Sequence, residues 1–344
     1  RLKDNLDYHL IPKHNLQERF VGSPLEVVDL AEPDFFRINA AIQRAGAQWD
    51  SGPTALSEYY DASGPATERF GLSFDPERAK QDVLETRNAE SALFIVVAPP
   101  PAHLDWRNVS GKNYVTPIRD QSHCGSCVAF ATCASVESRM LIGTGRPDGA
   151  IDLSEAHLFY CGAPNSCGVG WFYTKALAFA KKPGIGLEVD FPYVAGDQPC
   201  RNIRPVVTVP RYQTAASQIA RKQALQKGPV IGGFRVYQDF YTYRSGIYTH
   251  VTGDFLGWHA VCVIGYDDIH QCWIAKNSWG TGWGEQGFFR IGFGECGIDS
   301  EVLFYDPEIA LLKTDILASP PLGAVRKSPH EDRGMRPPAR PKDL

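Results

Sequence analysis

The densest chemistry in the chain lies in Gln121-Ser122-His123-Cys124-Gly125-Ser126-Cys127-Val128-Ala129-Phe130. The pattern after Ser126 predicts a helix over about 126–142, so Cys127 opens it. A helix N-terminus presents unpaired N–H groups and partial positive charge, which favour thiolate over thiol. Gln121, on the loop before the helix, can fold back. Its amide and the backbone N–H of Cys127 are then suited to hold an oxyanion. A nucleophile also needs a base and a group that orients the base. His259 opens an apolar strand in Gly257-Trp258-His259-Ala260-Val261, and Asn277 lies in Lys276-Asn277-Ser278-Trp279-Gly280. They follow Cys127 by 132 and 150 residues. Together these groups suit acyl transfer.

Two other readings use the same residues. Cys124 and Cys127 form a C-x-x-C pair, which in a redox protein follows a strand in a βαβ unit. Here a loop of Pro117-Ile118-Arg119-Asp120-Gln121-Ser122-His123 precedes it, and His259 and Asn277 are left without a role. A catalytically silent binding module is the other. Such proteins ordinarily lose the nucleophile or the base, and this chain keeps both. His250 and His270 read as satisfied structural histidines, His123 as a solvated loop residue, and Asn108-Val109-Ser110 as an unused glycosylation triplet.

The positioning elements follow from pattern. Residues 1–100 read as a separate, mostly helical unit. Over 34–45, Phe35, Ile38, Ile42 and Ala45 share one face, with Pro33 before it and Gly46 after it. Asp75-Pro76 marks a second helix start. Residues 51–64 read as loop. The apolar Leu93-Phe94-Ile95-Val96-Val97 runs into Pro99-Pro100-Pro101, a linker. Residues 105–205 are helical in pattern. Strands are expected at 206–209, 246–248, 259–266, 272–276 and 287–291. After Leu312, Pro, Lys, Arg and Asp dominate, and 309–344 reads as a disordered tail. The 344 residues are 43% hydrophobic and 22% charged, with net charge −4. Nothing there points to nucleic acid or an anionic membrane, and no apolar run reaches membrane-span length. The first residues, Arg1-Leu2-Lys3-Asp4, carry no initiator Met and no signal pattern, so either a removed targeting segment or a trimmed chain is expected. Nine cysteines suit bridges plus one reactive thiol in an oxidising compartment: secreted, periplasmic or lysosome-like.

Over about 105–306 the chain resembles the papain and cathepsin peptidases. The resemblance rests on the groups already quoted and on Asp105-Trp106-Arg107, Val115-Thr116-Pro117, Leu153-Ser154-Glu155, Phe191-Pro192-Tyr193, Gly228-Pro229-Val230 and Trp283-Gly284. It implies an α+β fold of two lobes, a helical one (about 105–205) and an antiparallel β-barrel one (about 206–308), within a peptidase unit of 101–308. Residues 1–100 would then be an inhibitory prosegment crossing the cleft, with 93–101 leading out of it, although they lack the helical motif typical of cathepsin-L-like prosegments. Cys127 is the implied nucleophile, His259 the base and Asn277 its orienter, with Gln121 at the oxyanion hole and Trp279 shielding the His259–Asn277 bond. No cofactor is implied. The partners are protein or peptide substrates and the chain's own prosegment, and a monomer is expected.

By the same resemblance Cys124 pairs with Cys167 and Cys161 with Cys200. A third family bridge from Cys296 lacks its partner, because Gly253 occupies that position. Cys133 reads as a buried thiol, and Cys262 with Cys272 as a further candidate pair. The pocket for the second residue before the cut would use Gly170 for backbone hydrogen bonds and Trp171 and Phe172 for apolar wall. Gly233 and Ala260 lie opposite. Its floor, Cys296-Gly297-Ile298-Asp299-Ser300-Glu301-Val302, resembles the cathepsin B branch, where the glutamate matching Glu301 accepts arginine. Hydrophobic side chains, and basic ones through Glu301, are thus the expected preference. No loop between Gly170 and Cys200 blocks the cleft, which implies endopeptidase action. Val128 stands where the family usually has an aromatic.

Overall fold

In the computed structural model, residues 35–57, 69–73, 75–92, 99–163 and 167–312 are described. The readings of 93–97 and of the tail beyond 312 lie outside them, as does the second half of the loop at 51–64.

Helix α1 (Phe35–Ala45) buries Ile38 and Ile42 of the expected stripe together with Ala41, while Phe35 is half-buried and Ala45 exposed. It stops at Gly46, whose φ of +62° suits a residue without a Cβ. Strand β1 (Trp49–Ser51) follows. Helix α2 (Pro76–Ala92) starts where Asp75 Oδ1 accepts from the N–H groups of Glu77 and Arg78, at 3.2 and 3.1 Å. This helix is polar, with Val83 its one fully buried apolar side chain among those described. Polar contacts hold it instead. Arg87 donates to the carbonyls of Ala216 and Asp299, and Glu90 accepts from the N–H groups of Ala216 and Ser217, both at 2.8 Å.

After β2 (His103–Asp105), helix α3 (Cys127–Gly143) is buried on all sides from Cys127 to Leu141. A helix enclosed all round needs no polar face. Val128 is fully buried there, so its side chain packs the lobe and does not line the cleft surface. Helix α4 (Glu155–Gly162) is capped by Ser154 Oγ, which accepts from His157 N at 2.9 Å. Helix α5 (Tyr173–Lys181) completes the helical lobe.

The second lobe holds β3 (Val207–Ala215), α6 (Gln218–Lys227), β4 (Val230–Tyr237), β5 (Tyr243–Tyr248), β6 (Phe255–Asp267), β7 (Cys272–Lys276), β8 (Phe288–Gly292) and β9 (Phe304–Leu311). The sheet order is β1-β5-β8-β7-β6-β4-β9-β3, with β2 added to β6. All pairs are antiparallel except β5–β8, a departure from the all-antiparallel expectation. The pattern-based strands missed β4 and β9. Gly232 and Gly233 weaken the strand signal of β4, and Pro307 interrupts that of β9. Strand β9 also runs to Leu311, past the expected start of the tail at 309. The two largest apolar clusters among the described residues centre on Val136, Leu158 and Phe159, and on Phe234, Phe240, Trp273 and Trp283, and the cleft runs between them.

The helical lobe carries the bridges Cys124–Cys167 and Cys161–Cys200. Cys133, Cys262, Cys272 and Cys296 are free. The expected Cys262–Cys272 pair is therefore corrected. In the β6–β7 ladder Cys262 faces Lys276 while Cys272 faces Asp267, so the two cysteines sit at opposite ends. Peptide mapping without reduction should recover the two bridges and unlinked Cys262 and Cys272. The bridges close loops of 43 and 39 residues, so removing either should cost about 4 kcal/mol on a chain-entropy basis. Urea denaturation of the Cys161→Ser/Cys200→Ser chain measures that loss.

Candidate active site

Cys127 is fully buried where α3 meets the strand lobe, and its Sγ accepts the backbone N–H of Ala260 at 3.4 Å. His259 lies on β6 beside that contact. Its Nε2 is 2.8 Å from Asn277 Oδ1. An amide oxygen can only accept, so Nε2 carries the proton and Nδ1 keeps its lone pair. Asn277 Oδ1 also accepts from Ser278 N at 2.8 Å, which fixes the amide. The Trp279 ring lies 4.7 Å from the imidazole and is 1% exposed, so water is kept from the His259–Asn277 bond.

Gln121 is positioned from both lobes. Ser278 Oγ donates to its Oε1 at 2.6 Å, its backbone N–H donates to Ser278 O, and Tyr193 Oη donates to its carbonyl. Its Nε2 is thereby aimed at two carbonyls, Cys124 O at 2.8 Å and Arg69 O at 2.9 Å. Ser278 and Tyr193 were not singled out from the sequence. Their signal was present, since each sits inside a quoted motif.

Arg69 belongs to the N-terminal region, and residues 69–73 pass along the cleft. Phe70 packs edge-on against Tyr241, His259 and Trp279. Gly71 is pressed between Gly125 and Gly170, where a Cβ on it would overlap the Gly125 carbonyl. Leu72 pairs with Trp171 as a parallel bridge: Trp171 N donates to Gly71 O at 2.6 Å and Ser73 N to Trp171 O at 2.9 Å. The Leu72 side chain, 5% exposed, joins the cluster containing Trp171, Tyr173, Ala260 and Val302, and lies against Gly233. The cleft segment is thus 69–73, well before the 93–101 stretch expected to lead out.

Several expected roles shift. Trp171 makes the backbone hydrogen bonds to the 69–73 segment, while its ring turns inward against Phe159 and Gly162. Gly170 contributes by its φ of +78° and by leaving room for Gly71. Phe172 is 41% exposed and lines the outer cleft. Glu301 Oε2 is 2.5 Å from Arg235 Nη2, so the carboxylate expected to await a substrate guanidinium already has a partner.

Burial dominates the protonation states. It pushes the Cys127 thiol up to about 11, against opposing N–H groups of Ala260, Gly71, Val128 and Cys127 itself. It pulls His259 down to about 4, against the Asn277 hydrogen bond. The helix start thus favours thiolate as expected, but enclosure outweighs it while residues 69–73 cover the cleft. Among the described residues no group of three His, Cys, Asp or Glu is placed to hold a metal ion, and no helix is long and apolar enough to cross a membrane.

The family profile described as papain family cysteine protease matches residues 100–305. Cysteine proteinase 1 of Entamoeba histolytica is 35% identical over 218 residues, covering 59% of this chain and 68% of that protein. The viral cathepsin of Autographa californica nuclear polyhedrosis virus is 30% identical over 317 residues, covering 86% of this chain and 92% of its own length. Among solved structures, a digestive procathepsin L 3 from the larval midgut of Tenebrio molitor aligns with a TM-score of 0.61 at 26% identity, over 79% of this chain and 87% of that one. With a family match that spans both lobes and their cleft, the chain belongs to the papain family of cysteine proteases.

Proposed function

We propose that the chain is a latent cysteine endopeptidase in which Cys127 is the nucleophile, His259 the general base and acid, and Asn277 the residue that holds the imidazole. The Cys127 thiolate attacks the substrate carbonyl, whose oxygen takes the place now held by Arg69 O and receives the Gln121 amide and the Cys127 N–H. His259 passes the thiol proton to the leaving amine. Water, deprotonated by the same imidazole, then cleaves the thioester and restores the thiol. Residues 1–100 act as the inhibitor. The observation that carries this reading is the passage of 69–73 over Cys127, with a peptide carbonyl on Gln121 Nε2.

The segment is held without being cut because its polarity is reversed. It runs from Phe70, beside His259 and Trp279, to Leu72, beside Trp171 and Val302. A cleavable peptide runs the other way, since its leaving amine must lie on the histidine side. The Leu72 site is then the apolar pocket for the second residue before the cut. Secretion or delivery to an acidic, lysosome-like compartment fits the two disulfides and a release step driven by protons.

Alkylation tests the reading. With the thiol near 11, its thiolate fraction at neutral pH is about 10²-fold below that of an ordinary cysteine. In the intact chain, labelling of Cys127 by iodoacetamide should therefore climb about tenfold per pH unit toward pH 11. After mildly acidic, reducing incubation, an epoxide warhead should label Cys127 rapidly at neutral pH and spare the other four free cysteines. Rapid neutral labelling of the untreated chain contradicts latency, and failure to label Cys127 after activation contradicts the peptidase role.

A further inference from the structure

Next to Leu72, Ser73 and Val302 border an open pocket of about 210 Å³ that also takes in Phe172, Tyr173, Glu301 and, from helix α2, Asp75 and Arg78. Gly233 leaves space above Leu72, whose Cδ2 would lie 2.9 Å from a Cβ there. Arg235 stands two residues further along β4, and strand alternation puts it on the same face as Gly233. Its guanidinium lies 5.1 Å over the Trp258 ring and pairs with Glu301. Trp258 in turn accepts Leu72 N at its carbonyl, at 3.3 Å. Arg235, Trp258 and Glu301 are therefore joined by contacts beside Leu72, with Glu301 on the edge of that pocket. The two charged side chains are 32% and 18% exposed, so the pair is partly withdrawn from water.

An unpaired carboxylate in this position would hold a substrate arginine through two parallel hydrogen bonds. Here that site is filled by an arginine of the chain itself. A tethered partner, already stacked on an aromatic face, competes at an effective concentration no free substrate reaches. We infer that Arg235 is a specificity-determining residue: it occupies Glu301 and makes the pocket select apolar, leucine-class side chains while refusing arginine and lysine. This rests on the assignment of the cleft as the substrate site. Each member of the pair has its own signature when left alone. Glu301 without Arg235 attracts cations, and Arg235 without Glu301 attracts carboxylates.

The test uses the full chain activated by mildly acidic, reducing incubation. Fluorogenic peptides carry Leu, Arg or Glu at the second residue before the cut. The wild type should favour Leu over Arg by about 10²-fold in kcat/KM. Arg235→Met should raise the Arg-to-Leu ratio by about ten- to a hundredfold. Glu301→Gln should instead raise the Glu-to-Leu ratio by about tenfold, and the double variant should lose both gains. Because the single variants probe opposite charges, either alone decides the matter if the other fails to fold. An Arg-to-Leu ratio within twofold of wild type in Arg235→Met, or a Glu-to-Leu ratio unmoved by Glu301→Gln, overturns the inference in an otherwise active enzyme. A wild type that cleaves none of the peptides and leaves Cys127 unlabelled overturns the peptidase assignment, and this inference with it.

Discussion

A Cys127→Ser chain, taken through the same activation, should cleave no peptide above a background at least about 10⁴-fold below wild type. The hydroxyl is a far weaker acid than a thiol, and a single neutral imidazole at this site is matched to sulfur. His259→Ala should lose as much, because the thiol proton then has no acceptor and the leaving amine no donor. Asn277→Ala should lose less. It frees the imidazole to rotate but leaves Trp279 packed on it at 4.7 Å. Gln121→Ala should lower kcat by about 10²-fold, the usual loss for one oxyanion donor. Turnover numbers for the four variants, each with its circular dichroism spectrum, check the ranking. A Cys127→Ser chain of full activity would remove the proposed mechanism altogether.

Gly71→Val should produce the second large effect, the loss of latency. Its new side chain meets the backbone of Gly125 on one face, and Gly170 closes the other. Backbone on both sides cannot move aside as a flexible side chain would. Overpacking of this kind costs roughly 1–3 kcal/mol or more, which displaces residues 69–73 by about ten- to a hundredfold in equilibrium. The intact variant should therefore label at Cys127 and cleave peptides at pH 7 without acid treatment. Mass spectrometry must show the chain still whole. The wild-type chain should open on acidification for a related reason. His259 is held at about 4 in the covered site and takes a proton near 6.5 once exposed. The exposed state thus binds more protons between those values. The covered state is favoured above pH 6.5 and loses that advantage as pH falls toward 4. A latent Gly71→Val chain would mean that some other segment blocks the site.

Much of the fold was legible because its signals are local. The Ile38/Ile42 pair, the Asp75-Pro76 start and the β7 run over Cys272–Lys276 are written in neighbouring residues. Helix α6 and strand β4 were not legible, because their residues are chosen by what packs on them. Arg221, for instance, is fully buried and donates to the carbonyls of Ala216, Ile298 and Val302, a set no window of sequence brings together.

The candidate site divides the same way. Sequence alone singled out Cys127, His259, Asn277 and Gln121, since each stands in a short motif whose chemistry requires that residue type, and it placed the two cysteine pairs by resemblance. It left three matters to the tertiary structure. Which part of the N-terminal region enters the cleft was decided by a close approach at Gly71, set by glycines at positions 125 and 170. Which backbone meets that segment was decided by Gly170, whose left-handed turn presents the N–H and carbonyl of Trp171 and sends its ring inward. Whether Glu301 faces substrate was decided by Arg235, which the strand pairing of β4 with β6 brings over Trp258 and onto the carboxylate. All three are contacts between residues tens of positions apart, and only a folded chain creates them.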